Sequence, residues 1–418
     1  MNQKTTKLSR FFKILGPGLV TGASDDDPSG IATYSQAGAA FGLSTLWTAL
    51  ITFPLMASIQ EMCARIGLVT SLGLAGTLRE NYSKPVLYLM LLFSFPAIVM
   101  NIGADIAGMG AVGNLLIPSV PSAYFCLFFT ILLLVLIVYL PYQKIASILK
   151  YLCIALLVYL IIPFLYKQDL LAIVKATFIP TIKFNKEFIS ILVAILGTTI
   201  SPYLFFWQAT MEVEQQKIKH LVVNKRIIHE MKQDVDFGML FSNVVMFFLI
   251  LTTGTVLFNG GIHQIDTVEQ APQALKPLAG NSAYLLFAAG VIGTGLLAIP
   301  VLSGSLSYIV TETFGWKNGL DKKFHQAKIF YVIIAISLVL GLSMTHLGIS
   351  PVKALIYSAI LYGLTAPVLI AIILHISNNP KVMGKFTNGK KANILGLATL
   401  ILMTIAAVTL IYLQFTEK

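Results

Sequence analysis

Apolar runs long enough to cross a bilayer recur from one end of this 418-residue chain to the other, joined by short polar segments. A transmembrane helix needs about 20 predominantly apolar residues. About eleven such runs can be read, near residues 12–41, 44–68, 85–114, 122–141, 144–166, 187–213, 234–258, 282–312, 327–346, 351–376 and 392–415. Only 11% of the residues are charged and 56% are hydrophobic, whereas soluble domains carry roughly 25% charged residues. The expected fold class is therefore all-α and integral to a membrane, with no stretch left over for a soluble domain. The basic start MNQKTTKLSRFFK leads into GPG and DDDP instead of a small-residue cleavage site, so no removable signal peptide is expected. Cys63, Cys126 and Cys153 fall within apolar runs and lack CxxC spacing, which reads as small hydrophobes, not as disulfides or thiolate ligands.

A formal net charge of +11 would suggest nucleic acid in a soluble chain, but in a membrane protein its distribution matters more than its sum. With the N-terminus inside, 22 of the 29 Lys and Arg fall on the cytoplasmic side and the remaining 7 on the other. That is the asymmetry that orients membrane proteins. The reading is a multi-pass protein of the cell (plasma) membrane, N-terminus cytoplasmic and C-terminus extracytoplasmic. Its basic loops meet anionic lipid head groups, and no nucleic-acid partner is expected.

Two of the runs are interrupted in corresponding places, the first by SDDDPSG at residues 24–30 and the sixth by GTTISPY at residues 197–203. Pro28 and Pro202 each remove a backbone donor and disfavour helix in the residue before them. The breaks lie five spans apart, an odd number that gives the two halves opposite orientation. Paired breaks of this kind mark an inverted-repeat transporter with its binding site at the midplane. The expected organisation is a first repeat over residues 1–166, an extracellular connection over 167–186, a second repeat over 187–376, and an eleventh helix with the C-terminus over 377–418.

Asp25, Asp26 and Asp27 lie about half-way through an otherwise uncharged span. An aspartate at the bilayer centre costs roughly 2.5–3.5 kcal/mol even on the lenient insertion scale. A bound cation offsets that cost, and unwound backbone beside the prolines offers carbonyl oxygens as further ligands. Asp27, next to the proline, is the expected ligand, with Asp26 beside it; the second break supplies Thr198, Thr199 and Ser201. Neither break contains Met, Cys or His, so the donors are hard and favour Mg²⁺, Ca²⁺ or Mn²⁺ over Cu⁺ or Zn²⁺. Asn101 and Asp105 are four apart and share a helical face. Asp105 reads either as a proton-relay group or outer ion site, or as a polar group satisfied by a neighbouring helix. Glu61 and Arg65 read as an intrahelical pair, and Glu212 and Glu214 either line an inner vestibule or are interfacial.

At these residues the sequence resembles the NRAMP family of proton-coupled divalent-metal transporters, over essentially the whole chain. GPGLVTGASDDDPSG is similar to the family's first helix from GPG to DPGN, and QAGAAFGLSTLW and ARIGLVTSLGLAGTLRENY to the stretches that follow it. ISPYLFFWQ stands where the family has IMPHN, and GADIAG resembles its third-helix TDLAE. The resemblance implies two inverted five-helix repeats of the amino-acid-carrier kind, with helices 1 and 6 discontinuous. It places Asp27 at the metal-binding aspartate, Gly30 at the metal-binding asparagine and Thr198 at the carbonyl-donating alanine. Ser201 takes the place of the soft methionine and Tyr203 that of the histidine, with Tyr203 and Gln208 expected along the vestibule. Asp105 matches the third-helix aspartate, while Gly108 replaces the glutamate three residues on, and the ninth span lacks the arginines of proton-coupled members.

These departures look like those of the NRAMP-related magnesium transporters. They imply a partly hydrated Mg²⁺, with Mn²⁺ second, and weak or absent proton coupling. The ion is substrate and no cofactor is expected; the sequence leaves the oligomeric state open. A competing reading is a carrier of an amino acid or other small organic solute on the same architecture, although a carboxylate trio would repel the anionic group of such a substrate. No P-loop, GxSxG or HExxH occurs, so neither an enzyme nor an ATP-driven pump is supported.

Overall fold

The structure, a computed structural model, describes residues 16–140, 144, 158–165, 169–268, 270–276 and 280–416. Most of the expected fifth run, Cys153 and the basic start lie outside the described residues. The first run forms two helices, α1 (Pro17–Asp25) and α2 (Pro28–Phe41). There follow α3 (Trp47–Thr70), α4 (Leu74–Asn81), α5 (Lys84–Leu116) and α6 (Ser122–Tyr139). The connection expected over 167–186 contains a helix of its own, α7 (Leu170–Phe178). The sixth run divides into α8 (Lys186–Thr199) and α9 (Pro202–Lys219). The remainder is α10 (Lys225–Thr253), α11 (Ala283–Phe314), α12 (Lys328–Met344), α13 (Pro351–Asn378) and α14 (Lys390–Thr416). Among the described residues there is no strand, and 8 helical stretches are long and apolar enough to cross a membrane. A ninth candidate is the pair Pro28–Thr45 and Trp47–Thr70, bent by 108°.

Both breaks are built the same way. At the first, Asp26 leaves the helical region (φ −83°, ψ 52°), Asp27 is extended, and Pro28 opens α2. At the second, Ile200 leaves it (φ −108°, ψ 60°), Ser201 is extended, and Pro202 opens α9. Proline is tolerated in the first turn because the N–H it lacks has no intrahelical partner there. The local sequence therefore both stops one helix and starts the next within two residues.

The halves of the bundle exchange partners. The N-terminal half of the first broken helix, α1, packs on α10, and the corresponding α9 packs on α3, so each repeat's broken helix rests on the other repeat's second helix. The long α5 and α11 cross one another at the centre, and α13 packs on α8 and α5. Glycine brings the broken helices close to their supports. A Cβ at Gly22 would overlap the Gly238 carbonyl of α10, one at Gly67 the Ala209 carbonyl of α9, and one at Gly197 the Ala359 carbonyl of α13. With lipid as solvent there is little hydrophobic drive between helices, and close backbone approach supplies the packing energy instead.

Asp234, near the start of α10, takes the amide protons of Gly16 (2.8 Å), Gly18 (2.7 Å) and Leu19 (3.2 Å). These are donors that the first turn of α1 leaves without an intrahelical acceptor, and a carboxylate also complements the positive end of the helix. The expected Glu61–Arg65 pair forms at 3.1 Å, and Arg65 also reaches the Phe386 carbonyl and Asn388 in the turn before α14. Cys63 and Cys126 are free and buried.

The α1–α10 seam yields a stability test. Gly238→Val forces side-chain atoms into the Gly18 carbonyl, so destabilisation of about 1–3 kcal/mol is expected from overpacking. Thermal unfolding in detergent should show a lower midpoint for this variant, and a smaller drop for Gly238→Ala.

Candidate cation site

Asp27 occupies the N-cap of α2, and both of its carboxylate oxygens are held. Oδ1 accepts the Gly30 amide at 2.7 Å and Oδ2 accepts Asn101 Nδ2 of α5 at 2.8 Å. Only 2% of the residue is exposed, so the charge is kept from solvent with an N–H against each oxygen. Capping explains the position of the carboxylate, because an N-cap acid bonds the free amide of the third helical residue. It also explains Gly30, whose amide serves Asp27 and which has no side chain of its own to offer an ion.

The two breaks meet at that glycine. A Cβ placed on Gly30 would lie 3.3 Å from the Asp25 carbonyl oxygen and 3.3 Å from Thr198 Oγ1. Thr198 Oγ1 therefore comes against the first break. Ser201 turns inward on its own segment, its hydroxyl donating to the Thr198 carbonyl and, at 3.4 Å, approaching the Gly197 carbonyl. Thr199 faces the other way, with Oγ1 2.9 Å from the Tyr34 hydroxyl and 3.6 Å from the Met246 sulfur.

The other two aspartates lean toward α10. Ser242 donates to Asp25 Oδ2 at 2.6 Å and lies 3.3 Å from Asp26 Oδ1, while Asp25 Oδ1 and Asp26 Oδ2 are buried with no hydrogen-bond partner. Asp105, fully buried on α5 within electrostatic reach of Asp27, has no close hydrogen bond at either oxygen, although the Ser29 backbone N–H lies near it. The expected triple-Asp run thus divides, with Asp27 toward α5 and Asp25 and Asp26 toward α10. Ser242 is an addition to the residues singled out from sequence.

Tyr203 and Gln208, expected along a vestibule, are instead fully buried and join α9 to α1. The Tyr203 hydroxyl donates to the Ser24 carbonyl at 2.8 Å, satisfying an acceptor exposed by the end of α1. Gln208 accepts from Thr21 Oγ1 at 2.5 Å and donates to Glu212 at 3.0 Å. The reason is that α1 lies directly on α9, so the face that would border water borders a helix. Glu214 does line a cavity, of about 240 Å³, with Arg79, Lys217, Glu312 and Asp321. There it accepts from the Tyr308 hydroxyl and the Leu320 amide.

Across the breaks from α1, a small cavity of about 30 Å³ lies beside Pro28 and Gly108, closed over by Ile265, Val268 and Ala271. Gln36 holds that covering segment through the Ile265 amide (2.8 Å) and the His263 carbonyl (3.4 Å). The carboxylates are therefore shut off on both sides. Among the described residues no three His, Cys, Asp or Glu side chains converge as a ready-made metal cage. What the breaks offer an ion is one fixed carboxylate, backbone carbonyls and hydroxyls, a hard donor set.

The family model for Nramp, natural resistance-associated macrophage protein-like, matches residues 18–413. The divalent metal cation transporter MntH of Caldanaerobacter subterraneus subsp. tengcongensis is 25% identical over 413 residues, covering 97% of this chain and 94% of that one. The protein of the same name from Klebsiella pneumoniae subsp. pneumoniae is 26% identical over 385 residues, covering 90% and 88%. Among solved structures, the Eremococcus coleocola manganese transporter in complex with an aromatic bis-isothiourea substituted compound aligns with a TM-score of 0.76 at 18% identity, over 98% of this chain and 88% of that one. Mhp1, a nucleobase-cation-symport-1 family transporter in a closed conformation, aligns with a TM-score of 0.57 at 12% identity, over 95% and 92%. At these identities the structural likeness speaks to the fold, and it agrees with two inverted five-helix repeats.

Ser242 gives the site a measurable dependence on α10. Ser242→Ala leaves Asp25 Oδ2 and Asp26 Oδ1 without their donor, and losing a hydrogen bond to a buried carboxylate costs about 1–3 kcal/mol. Thermal unfolding in detergent should show a lowered midpoint for Ser242→Ala and a recovery in Ser242→Thr.

Proposed function

The chain belongs to the Nramp family, and from that premise we propose that it carries Mg²⁺, with Mn²⁺ as a second ion, across the plasma membrane by alternating access with weak or absent proton coupling. Family membership makes it a divalent-metal transporter and not an enzyme; the choice of ion and coupling is argued from its own residues.

One observation carries the choice of ion. At the break that faces Asp27, Ser201 stands where the family pattern has a sulfur, and its hydroxyl is turned onto the Thr198 carbonyl. The donors of the two break segments themselves are then all oxygen, and two of the strongest are already engaged, Asp27 by two N–H groups and the Thr198 carbonyl by Ser201. A site with few free direct ligands suits an ion that keeps several of its waters. Mg²⁺ dehydrates reluctantly and is commonly held through one or two carboxylates with water completing the octahedron.

The coupling argument rests on what can titrate. Tyr203 and Gly108 occupy the positions of the family's histidine and glutamate, and the Tyr203 hydroxyl is committed to Ser24. Asp105 remains as the titratable neighbour of Asp27 on α5, and with the histidine and glutamate replaced the proton route of the coupled members lacks two of its groups. Uptake driven by the membrane potential then needs no second ion, since each unit of charge crossing 100 mV gains about 2.3 kcal/mol. The expected orientation has the N-terminus inside and the C-terminus outside, which puts the Glu214 and Glu312 cavity on the cytoplasmic side. Release toward that side requires the Tyr203–Ser24 and Thr21–Gln208 contacts to part, and entry requires the segment over Pro28 and Gly108 to lift.

Proteoliposomes test both parts. Asp27→Ala should lower Mg²⁺ uptake by at least about tenfold, the scale of losing one charge-assisted ligand; unchanged uptake would remove Asp27 from the site. In the wild-type chain, an internal pH dye should report little acidification during Mg²⁺ entry, and Cd²⁺ should not outcompete Mg²⁺. Metal-driven acidification of the size seen in a proton-coupled carrier would contradict the coupling argument, and a strong Cd²⁺ preference would contradict the hard-donor argument.

A further inference from the structure

We propose that Asn101, oriented by Ser358, sets the ion preference of the site by presenting an amide N–H to Asp27 where a carbonyl oxygen would otherwise fit. This rests on the reading that Asp27 meets the transported ion. Asn101 lies on α5, fully buried, with Nδ2 2.8 Å from Asp27 Oδ2 and Oδ1 2.8 Å from Ser358 Oγ of α13. Ser358 Oγ is in turn 3.1 Å from Ser29 Oγ and 2.8 Å from the Leu355 carbonyl, and Ser29 donates to that same carbonyl at 2.7 Å. One buried chain of polar groups thus joins α2, α5 and α13 around the first break.

The order of protons along this chain follows from counting donors. A serine hydroxyl has one proton, and a carboxamide has the same shape at both ends with opposite hydrogen-bonding character. Its orientation is read from the partners at each end. The Asp27 carboxylate only accepts, which turns Nδ2 toward it, and Asn101 Oδ1 then accepts from the Ser358 hydroxyl, whose proton it shares with the Leu355 carbonyl. Each Asp27 oxygen then holds one N–H, from Gly30 and from Asn101. A rotated amide would instead place Oδ1 beside the carboxylate, where it would act as an additional direct ligand for a cation.

Ser358 opposes that rotation, and so Asn101 withholds an oxygen from the ion. Ca²⁺ takes six to eight oxygens in flexible geometry and loses most from a missing ligand, whereas Mg²⁺ retains water in its shell and loses least. Asn101 and Ser358 are on this account positioning residues, and their effect is read in the ratio between ions.

The test measures kcat/KM for Mg²⁺ and Ca²⁺ uptake into proteoliposomes containing the full chain. Ser358→Ala frees the amide to rotate, and the Mg²⁺ to Ca²⁺ ratio should fall by roughly tenfold, the scale of one hydrogen bond to a charged group's partner. Ser358→Thr, which keeps the hydroxyl, should restore the wild-type ratio. Asn101→Asp places an oxygen at both ends whatever Ser358 does, and should lower the ratio in the same direction even if Ser358→Ala does not fold. A ratio that holds or rises in these variants, with both ions slowed equally, would overturn the inference. Asp27→Ala separates the two failures. If it transports both ions as wild type does, the premise about Asp27 fails, and if it loses both while the ratio is insensitive to Ser358 and Asn101, only the selectivity inference fails.

Discussion

Negative charge shut away from water in a membrane-spanning segment is the constraint on which the rest of this molecule depends. Three consecutive aspartates and Asp105 are buried together, and four of their carboxylate oxygens have no hydrogen-bond partner. Hydrocarbon provides no compensation for such groups, so the surrounding helices must. They do so unequally. Asp27 has a donor at each oxygen, Asp25 and Asp26 share one serine, and Asp105 has no close hydrogen bond. The unmet part of that demand is what the proposed cation would supply.

The broken helices are the means by which the charge is tolerated without exposing the chain. An unwound backbone in lipid would be prohibitive unless buried in protein. Here it is buried on every side, because α1 and α10 approach through Gly22 and Gly238, and α8 and α13 through Gly197 and Gly363. The same close approach commits the polar side chains near the breaks to bridging roles. Tyr203 satisfies the Ser24 carbonyl and Gln208 ties Thr21 to Glu212. Contacts that bury the breaks are therefore also the contacts that the proposed alternating access would break and remake.

Much of this was legible in the amino-acid sequence, for identifiable reasons. Proline two residues past a helical stretch leaves few backbone alternatives, so the breaks at Pro28 and Pro202 were readable, and carboxylates inside an apolar run announce themselves by their cost. The resemblance supplied Thr198, whose Oγ1 comes against the first break. Less legible were the partners. Asn101 is 74 positions from Asp27 and Ser358 is 257 from Asn101, and an isolated Asn or Ser in a membrane helix carries no signal of which helix it will face. Asp105 was noticed with Asn101 as one face of α5, but sequence could not tell that only Asn101 would reach Asp27. The vestibule expected at Tyr203 and Gln208 gave way to a helix–helix contact, since periodicity indicates which face is polar without indicating what covers it.

Length and composition of the apolar runs, two prolines and a triple aspartate by themselves determined an all-helical membrane protein with two interrupted helices and an acidic break. These are local consequences of backbone chemistry and of the cost of charge in lipid, and need no knowledge of neighbours. Only the tertiary structure decided that Asp27 turns to α5 while Asp25 and Asp26 turn to α10, that Gly30 serves through its amide, and that Asn101 shows Asp27 its nitrogen. Those outcomes depend on which helices meet at an unwound segment. Once the chain leaves helical geometry, side-chain direction is set by its packing partners and no longer by spacing along the sequence.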